Sequence, residues 1–256
     1  VLTIAAAGSE MSQSSVITNE DGWVKRGYSS NYCRPVFAVM DPELTMTLPS
    51  YQTACGCVDI LMHTMERYFN HSGSMEITDG IAEALMQTVI RNAPIVMQRP
   101  DDYNARAEIM WAGSLSHNGL TDCGCDHGDW ATHKMEHELG GLFDVAHGAG
   151  LAAIWGSWAR YVCDADYARF ARFATKVLNV APQATDQETA LAGIAAMEQF
   201  YRSIQMPTSL RELGVSPAEE QIQEMARKCI LATKGPAGKV KPLQQNDVEN
   251  IYRAAL

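Results

Sequence analysis

From residue 49 onward, apolar residues recur at three- and four-residue spacing, which is the signature of amphipathic helices. Pro49-Ser50 is a helix start. The pattern predicts helices over 51–69, 76–92, 105–118, 130–142, 148–159, 165–177, 186–204, 218–233 and 247–254. Breaks fall at Asn70-His71-Ser72-Gly73 and at Gly235-Pro236-Ala237-Gly238. Residues 1–48 differ. Ser14-Ser15-Val16-Ile17-Thr18 and Val36-Phe37-Ala38-Val39-Met40 are short β-branched or apolar runs. Asn19-Glu20-Asp21-Gly22 and Asp41-Pro42 flank them as turns, so both runs read as strands. The chain is therefore expected to be mainly α: a little β structure in 1–48, then an all-helical body over 49–256. There is no internal repeat and no low-complexity tract.

Composition narrows the partners. A length of 256 residues with 46% hydrophobic positions suits a globular chain with a sizeable core. Its 20 Lys and Arg against 30 Asp and Glu give a net charge of −10. That balance argues against nucleic acid and anionic membrane as partners, since both select basic surfaces. No apolar stretch approaches the roughly 20 residues of a membrane span. Val1-Leu2-Thr3-Ile4-Ala5-Ala6-Ala7 has no basic region and is too short for a signal peptide. No initiator Met is present, so a fragment is the expectation. Seven cysteines, an odd count, point to reduced thiols and a cytoplasmic location. Cys55/Cys57 and Cys123/Cys125 are C-x-C pairs; the C-x₂-C spacing of a structural zinc site is absent.

The histidine spacing carries the candidate chemistry. Asp59 and His63 are four apart within the apolar run Val58 to His63, so they share a helix face. A carboxylate there is costly unless it is paired or metal-bound. A plain hydrogen-bonded pair and a metal site both satisfy it. His133 and His137 repeat the spacing, and His147 follows ten residues later. A zinc-protease helix needs H-E-x-x-H, but Lys134 stands where the Glu belongs, and Glu136 and Glu138 are expected to point elsewhere. Alternatively, Asp59 and His63 converge with one or two of His133, His137 and His147 on one ion. One carboxylate and two or three imidazoles suit Fe²⁺ or Zn²⁺ with an open position for a substrate oxygen. His71, His117 and His127, in loops or at helix ends, are expected to be solvated. The turn Ala6-Ala7-Gly8-Ser9-Glu10 can present N–H groups to phosphate, although no phosphate-binding glycine motif is present. Trp111, Phe143 and Trp155 are candidates for an apolar substrate pocket.

These residues, in this order, resemble the iron-containing (group III) alcohol dehydrogenases, most closely the butanol dehydrogenase and aldehyde reductase branch. The resemblance runs through Ala7-Gly8-Ser9-Glu10 with Val16-Ile17-Thr18, Pro35 to Pro42 and Thr47-Leu48-Pro49. It continues through Gly56 to Glu66, Asp129 to His133, His137-Glu138-Leu139, Ala146-His147-Gly148 and the tail from Lys241 to Tyr252. It implies a dehydroquinate synthase-like fold: a helical metal-binding domain over 49–256 behind the last strands of an α/β nucleotide-binding domain in 1–48. It implies Asp59, His63, His133 and His147 as ligands of Fe²⁺ or Zn²⁺, and His137 beside the nicotinamide as a proton relay titrating near neutral pH. It implies that Thr3, Ile4, Ala7, Gly8, Ser9, Ser12, Lys25, Leu44 and Thr47 bind NAD or NADP. The implied reaction is hydride transfer with a small alcohol or aldehyde, in a chain that forms a homo-oligomer, a dimer. Ala7 stands where the family usually has Thr, and the family's Gly-Gly-Gly-Ser segment is absent. The resemblance thus implies a member lacking most of its nucleotide-binding domain. Two alternatives accompany it: an inert metal-binding helical fragment, and a lyase of the dehydroquinate synthase type. The lyase needs a basic cluster for a polyanion, and only Lys134 and Arg67 stand near the proposed ligands in sequence.

Overall fold

The computed structural model describes residues 1–70, 73 and 75–256. His71 lies outside the described residues. Two strands, β1 (Ser14–Asn19) and β2 (Val24–Ser29), pair antiparallel as a hairpin, with Ser14 opposite Ser29. Nine α-helices follow among the described residues: α1 (Ser50–Tyr68), α2 (Glu76–Gln98), α3 (Tyr103–His117), α4 (Ala131–Phe143), α5 (His147–Val162), α6 (Tyr167–Leu178), α7 (Asp186–Ser203), α8 (Glu219–Thr233) and α9 (Gln245–Ala254). The predicted helices are all present. None is long and apolar enough to cross a membrane, among the described residues.

One expected strand is absent. Residues 36–40 form no strand; Val36 and Phe37 are fully or nearly fully exposed, and Val39 makes one backbone contact, accepting from the Leu2 N–H at 2.9 Å. Their composition favours a sheet, but no neighbouring strand pairs with them here. The second strand of the hairpin is instead Val24–Ser29, which lies one turn beyond Asn19.

Helix α1 is the axis of the molecule. Every residue from Thr53 to Tyr68 is buried, as expected of a helix that is apolar on most faces. It packs on α2, α3 and α5, while α4 packs on α5, α8 and β2. Asp59, His63, Glu66 and Arg67 interrupt the apolar surface at i, i+4, i+7 and i+8, which is a single stripe. Asp59, His63 and Arg67 of this stripe face a cleft, while Glu66 is buried against His133. Aromatic rings fill the opposite side: Phe69 stacks on Phe170 at 4.3 Å between centroids and meets Trp158 edge-on at 5.9 Å.

Two anchors tie α4 to α9 and the loop before it. The Tyr252 hydroxyl of α9 donates to the Met135 carbonyl at 2.7 Å. The buried Asp129 carboxylate accepts from the backbone N–H groups of Ala131 (3.0 Å), Lys239 (2.6 Å) and Val240 (2.9 Å), which ties the loop before α9 to the start of α4. Asp129→Ala strands three donors in a buried place. It is expected to destabilise the chain by about 2–4 kcal/mol in urea unfolding.

Candidate metal and cofactor site

The site forms where three helices meet. Asp59 and His63 come from mid-α1, His133 and His137 from the first two turns of α4, and His147 is the first residue of α5. One carboxylate oxygen, Asp59 Oδ1, is the common neighbour. It lies 3.6 Å from His63 Nδ1, 3.7 Å from His133 Nε2 and 3.6 Å from His147 Nε2. These separations exceed a hydrogen bond. They are close to the roughly 3.4 Å expected between ligand atoms on a tetrahedral ion bound at 2.0–2.1 Å.

Asp59 Oδ1, His63 Nδ1 and His133 Nε2 are buried and have no hydrogen-bond partner. A carboxylate oxygen and two ring nitrogens that face one another beyond hydrogen-bond distance, with no other partner, fit a cation that displaces any proton held between them. The donor set, one oxygen and imidazole nitrogens, suits Fe²⁺ or Zn²⁺. Asp59, His133 and His147 bring their atoms within 4.8 Å of one another, and His63 joins them through Asp59. Its ring stacks on His133 at 4.9 Å and on His117 at 4.4 Å.

Two buried glutamates orient the rings, and both were missed as site residues in the sequence. Glu66 Oε1 accepts from the Nδ1–H and the backbone N–H of His133, each at 3.0 Å, which turns Nε2 toward Asp59. Glu136, expected to point away, instead turns inward and accepts from His147 Nδ1–H, again freeing Nε2. Such carboxylate–imidazole pairs fix the tautomer a metal requires. Only the position of Glu66, on the stripe of α1, hinted at this role.

The charges follow the same geometry. Burial opposes ionisation of Asp59, but His63, His147 and His133 overcome it and hold the carboxyl well below its usual range. Burial drives His63 well below the ordinary imidazole value. Burial also acts on His133, but Asp59 and Glu66 on either side outweigh it and raise that ring to about 9, so a cation that binds at Nε2 must displace a proton from it. Burial, with His133 and His147 beside it, keeps His137 neutral, so the expectation that it titrates near neutral pH is corrected.

The ligand atoms open into a cleft of about 780 Å³. Of the candidate cofactor residues, Ala7, Ser9, Ser12 and Lys25 line it with His137. Thr3, Ile4, Gly8, Leu44 and Thr47 stand outside the lining. Gly8 is buried with φ +59°, pressed against His117 and the Gly113 carbonyl. Leu44 belongs to a short 3₁₀ turn, Pro42–Thr45, and both it and Thr47 are exposed. Thr3 is exposed and Ile4 is half-buried.

Three further expectations are corrected. His117 is not freely solvated: it is half-buried at the cleft wall, accepts from Arg67 at Nδ1 (3.3 Å) and faces Ser12 Oγ with Nε2 (3.4 Å). The segment 5–12 folding onto α3 covers it. His127, by contrast, is exposed as expected. Trp155 lies in the core beside Tyr201 and Phe173, Trp111 is half-exposed, and Phe143 is partly buried against the core; none lines the cleft. Its aromatic wall is Trp130, whose ring sits under the Arg67 guanidinium at 4.8 Å. Finally, Lys25 and Arg34 join Arg67 and Lys134 along the cleft. Three of these four cations are already engaged: Lys25 by Glu136, Arg34 by Met11 and Gln13, and Arg67 by the carbonyls of His63 and Ser116.

The seven cysteines are all free. None belongs to a cluster able to hold a metal among the described residues.

Residues 53–256 match the model of the Fe-containing alcohol dehydrogenase family, C-terminal. The chain is 37% identical over 254 residues to NADH-dependent butanol dehydrogenase A of Clostridium acetobutylicum, covering 99% of this chain and 64% of that protein. It is 35% identical over 215 residues to the NADPH-dependent aldehyde reductase YqhD of Escherichia coli, covering 84% of this chain and 55% of that protein. The crystal structure of NADH-dependent butanol dehydrogenase A from Thermotoga maritima superposes with a TM-score of 0.93 at 36% identity, over 99% of this chain and 64% of that one. The chain thus spans 55–64% of the length of these relatives.

Proposed function

Because this chain belongs to the Fe-containing alcohol dehydrogenase family, we propose that it carries the metal-binding and catalytic half of an NAD(P)-linked alcohol dehydrogenase or aldehyde reductase. Residues 1–48 are the end of a nucleotide-binding domain, and 49–256 are the helical catalytic domain of a dimeric enzyme. The observation that carries the reading is the set of orphaned buried atoms around Asp59 Oδ1.

Asp59, His63, His133 and His147 hold the ion. When bound, Fe²⁺ or Zn²⁺ polarises the oxygen of a primary alcohol or aldehyde, and NAD or NADP takes or gives the hydride. Ala7, Ser9, Ser12 and Lys25 border the cofactor. Arg34 and Arg67 add positive charge for its phosphates, and the ring of Trp130 walls off an aliphatic substrate such as butanol. His137, kept neutral by burial, moves the hydroxyl proton. It takes a proton on one ring nitrogen and releases one from the other to cleft water.

Aldehyde reduction by the metal-loaded chain, followed with NADH and with NADPH, tests the reading. His137→Ala is expected to keep full metal content and lose about 10²–10⁴-fold in turnover. His133→Ala and His147→Ala lose metal and turnover together. Full metal content in either ligand variant contradicts the ligand set. Metal without turnover in the unmodified chain contradicts autonomous activity.

A further inference from the structure

We propose that Lys25 and Glu136 act as a coupled pair of positioning residues, through which the β1–β2 hairpin sets the orientation of His147. The inference rests on the reading of His147 as a metal ligand. The Glu136 side chain is fully buried. Its Oε2 accepts from His147 Nδ1–H, and Lys25 Nζ donates to Oε2 at 3.2 Å and to Oε1 at 3.4 Å. The carboxylate sits in a slot made by two glycines. A Cβ at Gly140 of α4 would lie 2.7 Å from Oε1 and 2.8 Å from Lys25 Nζ. A Cβ at Gly150 of α5 would lie 2.9 Å from Cγ. The backbone thus leaves room for this buried carboxylate and for the ammonium beside it at the edge of the cleft.

The two histidine-orienting glutamates are held differently. Glu66 is a neighbour of its histidine through two N–H groups, and its other oxygen has no partner. Glu136 is neutralised by a lysine from a different part of the fold. An unpaired buried carboxylate is expensive, and removing one partner of a buried pair is felt by the other. Lys25 therefore holds the Glu136 side chain in place. Glu136, in turn, keeps the His147 proton on Nδ1 and its lone pair toward Asp59. The hairpin is well seated for this role: the Trp23 carbonyl lies 3.0 Å from where a Cβ at Gly141 would stand.

The test is a double-mutant cycle on Co²⁺ affinity, read by competition with a chromophoric chelator on the full chain, together with the visible spectrum of bound Co²⁺. Glu136→Ala is expected to weaken binding by about 10–100-fold and to shift the Co²⁺ bands. Glu136→Gln, whose amide oxygen still accepts from Nδ1–H, recovers most of the affinity. It also serves as the folded variant should the alanine form unfold. Lys25→Met weakens binding several-fold in the unmodified chain and has no further effect beside Glu136→Ala. Wild-type affinity and spectrum in Glu136→Ala, or an equal effect of Lys25→Met in both backgrounds, overturns the pair while leaving the metal site standing. Failure of the unmodified chain to bind Co²⁺ overturns the ligand reading itself and the pair with it.

Discussion

Asp59→Asn is expected to strip the chain of metal. Asp59 Oδ1 is the one atom within 3.7 Å of all three imidazole nitrogens, and it is the only anionic member of the set. Asparagine keeps the shape and removes the charge. It also brings an N–H₂ group toward lone pairs that the glutamates have already turned inward. Outer partners of a metal ligand cost roughly 10–100-fold in affinity when removed, so loss of this ligand costs more, on the order of 10³-fold. Chelator competition reads the affinity, and circular dichroism checks that the helices persist. Affinity within tenfold of the unmodified chain would mean that the imidazoles hold the ion without Asp59.

The second large effect is on stability. Gly148 follows His147 at the start of α5 and lies against α1, where a Cβ would come within 2.1 Å of the Cys55 carbonyl oxygen and 2.6 Å of its carbon. Those atoms are helix backbone and cannot swing aside. Gly148→Ala must push α5 off α1 one turn before Asp59, so it damages core and site together. Overpacking of this kind costs about 3 kcal/mol or more, a Tm drop of about 6–12 °C in a chain this size. Metal affinity falls in parallel. Gly80→Ala is the control: it lies in α2, exposed, with nothing within 4 Å of its Cβ, and it is expected to stabilise by up to about 1 kcal/mol. A neutral Gly148→Ala would show that α1 and α5 are not tightly apposed at the site.

What was legible in the sequence was whatever a single element determines. The 3.6-residue period placed the helices, and the i, i+4 spacing put Asp59 with His63 and His133 with His137 on shared faces. The resemblance joined these pairs to His147. What escaped depends on distances between elements. Glu136 lies on the same helix as His133, but its inward aim follows from Lys25, 111 residues away, and from the space at Gly140 and Gly150. His117 looked like a helix-end residue because nothing near it in sequence reveals that segment 5–12 covers it. Lys25, Arg34, Arg67 and Lys134 are scattered along the chain, and only the fold lines one cleft with them. Val36 to Met40 failed for the opposite reason: its composition is right for a strand, but a strand needs a neighbour.

The central claim is that Asp59, His63, His133 and His147 hold one divalent ion. Elemental analysis of the purified chain, after anaerobic loading with Fe²⁺ or Zn²⁺ and desalting, tests it most directly. One metal per chain, falling to none in His133→Ala and His147→Ala, is the predicted result. No retained metal after loading with either ion, in a chain whose helical spectrum is intact, would contradict it.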